Sequence, residues 1–266
     1  MTSDDFEKLA DLLFPDLKDA PEGSDPDYYE RLYPQRTLRE GAAVTRLGPS
    51  PTGFIHLGNL YTAFMNKKLS SETGGICILR IEDTDRKREV AGAAETLISS
   101  LSYFGVNFDE GVAYDVETNR TFESGDYGPY YQSARKDIYR AYVRRLTREG
   151  KAYPCFLTEE EIDEIRSRQE GEKLTPGIYG KWAKYRDLSF DSYKKLIESG
   201  RNCVIRFKAG TEYARESKDP ADAERDEARR IEVTDGIRGT LSMPANIMDA
   251  VILKSDGLPT YHFAHV

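Results

Sequence analysis

The sequence is poor in the residues that announce redox, disulfide or metal chemistry. Its 266 residues include three cysteines, three histidines and one tryptophan. Cys77, Cys155 and Cys203 are widely spaced, which excludes a disulfide framework and a metal quartet and is the usage of a reduced, cytosolic protein. No apolar run is long enough to cross a bilayer, so no membrane contact is expected. A basic leader is also missing: "MTSDDFEKLADLLFPDLKD" is acidic, unlike a secretory signal or an Arg-rich transit peptide.

Acid is what the chain has in excess, but only at one end. Residues 1–30 carry ten acidic and two basic side chains, which accounts for the whole net charge of −8 and leaves residues 31–266 neutral. The total therefore does not exclude a nucleic-acid partner, for which a local basic face is what counts. "SARKDIYRAYVRRLTREGK" (133–151) has seven Lys or Arg against two acids. Taken alone, such a run reads as a solvated helix face.

Residues 1–41 read as an acidic appendage: a short amphipathic helix, a Pro/Gly/Asp linker and a Tyr-containing segment. "AAVTRLG" and "GGICILRIE" are short apolar strands bounded by glycine. "NLYTAFMNKKLSSE" has helical spacing, with Leu60, Phe64 and Leu69 on one side, and "AGAAETLISSLSYFG" is a helix ending at Gly105. Strand, helix, strand, helix with tight connections predicts parallel strands and a doubly wound α/β sheet. After Tyr131 the pattern becomes α+β. "LTEEEIDEIRSRQ" opens with a capping box, Thr158 and Glu161. "NCVIRFKA" and "RIEVTDGIRGTLSMP" read as strands, and "DAVILKSDGLPTYHFAHV" as a strand, a turn and the start of a helix.

The densest punctuation is "RLGPSPTGFIHLGNL" (46–60), with two prolines and three glycines around His56. In open α/β sheets, loops leaving the carboxyl ends of strands hold ligands. The following helix start offers unpaired N–H groups to an anion. A tight turn carrying a surface His is the plain alternative. The longer string "PSPTGFIHLGN" resembles the first signature of class I aminoacyl-tRNA synthetases, in the form seen in bacterial-type glutamyl-tRNA synthetases. "LRIEDTD", "LSYFGVNFDEG", "GPYYQSAR", "EGKAYPCF" and "DAVILKSDGLPTYHFA" follow in the family's order, so the resemblance runs from about Val44 to the end.

The resemblance implies a Rossmann-like class I synthetase nucleotide-binding fold with an inserted α+β acceptor-binding domain. The expected division is an extension (1–41), a first catalytic half (42–134), an insertion (135–250) and the start of a second half (251–266). It implies activation of L-glutamate with ATP and Mg2+ to glutamyl-adenylate, then transfer to the 3′ end of tRNA(Glu), by a cytoplasmic monomer. The carboxylate attacks the α-phosphorus of ATP, so catalysis rests on positioning and charge stabilisation. ATP falls to Ser50, Thr52, Gly53, His56, Gly58 and Asn59, with His56 and Gly58 closest to the chemistry. Glutamate falls to Arg46, Ser50, Glu82, Tyr261 and His265. Arg46 suits the side-chain carboxylate, since a guanidinium meets a carboxylate through two parallel hydrogen bonds. An ion pair at a strand end is its plain reading, and a half-buried core residue is that of Tyr261. Asp83 and Asp85 read as a capped turn, a magnesium site with Glu82 being the other reading. Arg135, Lys136, Arg140, Arg144 and Arg145 become tRNA phosphate contacts, which position RNA without reading its sequence.

Departures from the family pattern shape the remaining expectations. Cys155 is followed by Phe156 and Leu157, and no further Cys or His lies near Trp182, so no zinc is expected. No Lys-x-Ser-Lys-type loop follows; "LKSDG" fits a strand and turn. The second half of the nucleotide fold and an anticodon-binding region are expected beyond Val266, and the 266 residues alone are expected to be inactive or weakly active. The rivals are a glutamyl-queuosine tRNA(Asp) synthetase paralogue and a non-catalytic tRNA- or nucleotide-binding module derived from a synthetase.

Overall fold

Short apolar strands bounded by glycine pair in parallel because helices carry the chain back along the sheet. In the structure, a computed structural model, β1 (Val44–Leu47) pairs in parallel with β2 (Ile76–Leu79), and β2 with β3 (Glu110–Asp115). The α/β expectation holds. A hairpin adds β4 (Arg120–Ser124) antiparallel to β3, giving the order β1-β2-β3-β4. The structure describes residues 1–18, 23, 25–52, 56–84, 90–210 and 230–265. They divide into a central unit, residues 25–139, and a flanking unit, residues 1–24 with 140–266.

In the central unit the crossover helices are α4 (Leu57–Thr73) and α5 (Ala93–Tyr103). The core is Leu47, Leu79, Ile81 and Val112 from the sheet layer against Ala63, Leu97, Ile98 and Leu101 from the helices. Two glycines let the strands approach. A Cβ at Gly75 would stand 1.9 Å from the carbonyl oxygen of Ala43, and one at Gly111 (φ +126°) would stand 2.1 Å from that of Leu79. Leu60 packs against this core, whereas Phe64 and Leu69 are about half exposed, so α4 buries a different line from the one its spacing suggests.

Residues 25–43 belong to this unit. They begin with α3 (Pro26–Leu32), capped by Asp25, which accepts a hydrogen bond from the Asp27 N–H at 3.0 Å. Arg36 donates twice to Glu110, at 2.7 and 2.6 Å, and lies 3.6 Å over the Tyr127 ring. The Tyr130 hydroxyl donates to the same carboxylate. Burial pushes the Glu110 carboxyl up, but the hydrogen bonds from Arg36 and Tyr130 outweigh it and leave the group below its ordinary value.

The flanking unit is an antiparallel three-stranded sheet in the order β5-β6-β9 (Ala152–Cys155, Val204–Phe207, Val251–Leu253) with helices α6 (Lys136–Arg148, from Arg140 on), α7 (Glu159–Gly171) and α8 (Phe190–Glu198). The Thr158–Glu161 capping box forms as read, at 2.9 and 3.2 Å. β7 (Arg230–Asp235) and β8 (Gly239–Pro244) make a separate hairpin. β9, placed by the sequence at the start of a second catalytic half, is here a strand of the unit's own sheet.

The acidic N-terminus is built into this unit. α1 (Ser3–Leu13) starts at a second capping box, Thr2 with Asp5, and a short α2 (Pro15–Lys18) follows. Leu9 is buried with Tyr153, Phe156 and Tyr193, and Phe14 and Leu17 with Val143, Ile205 and Leu253. Expected as an appendage, residues 1–18 supply core, because the amphipathic helix has an apolar surface to cover.

Candidate functional site

The carboxyl ends of β1 and β2 carry the residues that the sequence singled out. The chain leaves β1 at Leu47 and runs through Gly48, Pro49 and Ser50. The Arg80 and Glu82 N–H groups donate to Leu47 and Pro49 at 3.0 and 2.9 Å, so the loop after β1 is sewn to the chain leaving β2. This brings Arg46 and Glu82 together: Arg46 Nη1 lies 3.1 Å from Glu82 Oε1. Arg80 Nη2 reaches the same oxygen at 3.2 Å. Glu82 is 5% exposed and the Arg46 side chain 30% exposed, so the acid is sunk in the loop and the base is the more accessible member of the pair. Gly48 makes room for this acid, since a Cβ there would stand 2.3 Å from Glu82 Oε1. The ion-pair reading of Arg46 is thus realised, with the very carboxylate proposed as its companion.

His56 caps α4 in an extended conformation and is exposed. Its backbone N–H donates to Asn59 Oδ1 at 3.3 Å, and its ring borders the empty side of Gly58, where a Cβ would lie 3.1 Å from Nδ1. Gly58 therefore keeps the space beside the imidazole open at the head of a 17-residue helix, where unpaired N–H groups attract anions. Ser50 accepts the Thr52 N–H through its carbonyl at 2.8 Å. Gly53 lies outside the described residues, as does Asp85.

Asp83, read in the sequence as part of a capped turn, instead clasps a distant segment: Ser133 donates to it through N–H at 2.8 Å and Oγ at 2.5 Å. The same clasp presents a residue that sequence reasoning gave no role. Gln132 is 2% exposed and accepts from Thr84 Oγ1 at 3.1 Å, while its Nε2 has no partner among the described residues. Its backbone extends the end of β2, with the Gln132 N–H on the Ile81 carbonyl and the Ile81 N–H on that of Tyr130. The signal available was its place in "GPYYQSAR", beside a loop rather than in a periodic element.

Tyr261 and His265 belong to the flanking unit, at the start of the short helix Tyr261–Ala264 and just past its end. Tyr261 is 65% exposed, unlike a core tyrosine, and its ring meets that of His265 edge-on at 4.3 Å. The basic residues assigned to tRNA have varied surroundings. Arg135, in the central unit, donates to the carbonyls of Tyr127 and Pro129 at 3.3 and 2.9 Å. Lys136 and Arg145 are half-buried on α6. Arg140 is held by Asp16 through two 2.6 Å hydrogen bonds, and Arg144 by Asp11 at 2.6 Å. Among the described residues, no three His, Cys, Asp or Glu side chains are grouped to hold a metal ion.

Proteins of known name match most of the chain. The chain is 49% identical over 260 residues to a glutamate–tRNA ligase of Clostridium perfringens, a match covering 98% of this chain and 43% of the relative. A glutamate–tRNA ligase of Acetivibrio thermocellus is 48% identical over 263 residues. The chain thus spans less than half the length of the curated relatives it matches. Among solved structures, a glutamate tRNA ligase from Elizabethkingia meningosepticum in complex with its amino acid aligns with TM-score 0.68 and 35% identity, over 84% of this chain and 41% of that one. The family description "tRNA synthetases class I (E and Q), catalytic domain" matches residues 42–266. The chain belongs to the class I tRNA synthetases of this glutamate and glutamine type.

Proposed function

We propose that this chain carries the glutamate- and ATP-binding part of a glutamate–tRNA ligase. The observation that carries the reading is the Arg46–Glu82 pair at the carboxyl ends of two parallel strands, in a chain whose relatives bear that name. A free amino acid with an acidic side chain has complementary groups for both members. Its side-chain carboxylate takes the guanidinium of Arg46, and its α-ammonium takes Glu82 with help from Ser50. Each protein group then exchanges one ionic partner for another, which limits the desolvation cost of binding.

ATP is assigned to Ser50, Thr52 and Gly53 of the sequence after β1 and to His56, Gly58 and Asn59 at the head of α4. The α-carboxylate oxygen of glutamate bonds to the α-phosphorus, the bond to the bridging oxygen breaks and pyrophosphate departs. The chain's own part is to hold the two anions in line and to stabilise growing charge with His56 and helix N–H groups. Mg2+ characteristically binds through substrate phosphates and one or two carboxylates, and here it would be held chiefly by the ATP phosphates. In the second step a ribose hydroxyl of the terminal tRNA adenosine attacks the activated carbonyl and AMP leaves. Arg135, Lys136 and Arg145 stay assigned to acceptor-end phosphates.

The test is calorimetric titration of glutamate and of glutamine into the parent and Arg46→Gln. The parent is expected to prefer glutamate. The variant should lose roughly 10- to 150-fold in glutamate affinity, from the about 1.5–3 kcal/mol typical of a hydrogen bond to a charged group, while its glutamine affinity changes less. Equal binding of both amino acids by the parent, or an unchanged preference in the variant, would refute the assignment.

A further inference from the structure

The basic helix and the acidic N-terminus, unrelated in sequence, form one ionic ladder. Along α6, Arg140, Arg144 and Arg148 recur every four residues and so share a stripe. Glu7 and Asp11 share a stripe of α1, and Asp16 follows on α2. The two run antiparallel. Arg148 Nε donates to Glu7 at 2.6 Å, Arg144 Nη2 to Asp11 at 2.6 Å, and Arg140 to both oxygens of Asp16 at 2.6 Å. Arg144 also lies 3.7 Å from Glu7, and Lys18 3.5 Å from Asp11.

The ladder is graded from inside to outside. Arg144 and Asp11 are 9% and 21% exposed in their side chains, so this rung is structural. Asp16 is 57% exposed over an Arg140 side chain that is 17% exposed, and Arg148 and Glu7 are each about 40%, so the acids of these outer rungs face solvent. The acids cannot drift off the stripe, because Leu9, Phe14 and Leu17 anchor α1 and α2 in the core. Gly150 (φ +69°), just past α6, completes the seat: a Cβ there would stand 2.9 Å from the Phe6 ring. Fully burying side chains of this kind stabilises by about 1.5–3 kcal/mol each. The contact is therefore permanent rather than a displaceable arm.

A carboxylate on arginine, doubly bonded at the Arg140–Asp16 rung and singly at the other two, makes the interaction that a nucleic-acid phosphate would otherwise make. We propose that the acidic N-terminal segment is a built-in polyanion that covers the basic stripe of α6, keeping RNA and other polyanions off this face. Arg140 and Arg144 are then ladder members rather than RNA contacts, and RNA phosphates meet the flanking unit elsewhere. The inference rests on the RNA-binding part of the proposed function only for its biological use; the masking itself is a property of the fold.

The experiment removes the outer acids and leaves the buried rung intact. In Glu7→Gln/Asp16→Asn, Arg140 and Arg148 lose their anionic partners while Asp11 still holds Arg144. Heparin and a short acceptor-stem RNA duplex serve as probes, with affinity measured against salt concentration. Two uncovered cations are expected to steepen the slope of log affinity against log salt by about 1–2, since each contributes roughly 0.9 for a duplex. Glu40→Gln/Glu117→Gln, a charge-matched change at exposed acids of the central unit, should not steepen it. In the otherwise unaltered chain, Arg140→Gln/Arg148→Gln should leave both affinities unchanged, because those cations are already covered.

An unchanged heparin slope in the first variant, an equal steepening in the charge-matched one, or a loss of polyanion binding in the arginine variant overturns the proposal. The arginine variant decides the matter even if the first fails to fold. A steeper heparin slope with no binding of the RNA duplex by any form upholds the masking and counts against the RNA-binding reading instead.

Discussion

If α1 is core rather than appendage, cutting back one of its buried side chains must destabilise the flanking unit. Leu9→Ala is the cleanest cut, since Leu9 is fully buried among Tyr153, Phe156 and Tyr193 and makes no polar contact that the change would confuse. Removing three carbons from a site walled by large aromatic rings leaves a cavity that cannot easily collapse. Such changes cost about 2–5 kcal/mol, and about 3 is expected here. The sole tryptophan, Trp182, lies half-buried in the same unit, so its fluorescence reports that unit's unfolding. With a urea slope of about 2 kcal/mol/M, the midpoint should fall by roughly 1–2 M. A Trp182 transition that moves by less than about 0.25 M, corresponding to the roughly 0.5 kcal/mol of an ordinary surface change, would refute the reasoning and return residues 1–18 to the status of an appendage.

Gly111→Ala should destabilise the central unit by about 2–4 kcal/mol, because the new Cβ meets the Leu79 carbonyl at a backbone angle that L residues rarely adopt; circular dichroism during urea unfolding checks it. The Glu110 carboxyl, depressed in the folded chain, gives stability that is present above its ordinary value of about 4.5 and is lost as pH falls through the depressed one. Arg36→Gln removes a lowering partner while burial remains, so its acid-side loss should begin at higher pH than the parent's. Parallel acid-unfolding curves for the two proteins would contradict this.

Much of the central unit was legible because its signals are local. Glycine-bounded apolar runs mark β1 and β2, and the loop after β1 concentrates the residues that a close ligand approach requires. Thr158 and Glu161 predicted a cap from spacing alone, and the cap forms. The ion ladder was not legible, since Glu7 and Arg148 are 141 positions apart and only packing of α1 onto the flanking unit brings them together. For the same reason a basic run that looked solvated proves to be paired. α4 misled in another way. It is apolar on more than one side, so periodicity could not say which line the sheet would cover, and Phe64 and Leu69 remain half exposed. Gln132 escaped notice because an isolated polar residue in a loop has no pattern, and burial alone gives it interest.

The central claim is that Arg46 and Glu82 serve glutamate activation. The most direct test is glutamate-dependent exchange of pyrophosphate into ATP, with and without glutamate tRNA, run on this chain and on the product of its reading frame extended past Val266. The account predicts exchange by the longer product, dependent on tRNA and abolished by Glu82→Gln, with little or none from the 266 residues alone. Exchange that survives Glu82→Gln, or its absence in every form, would contradict it.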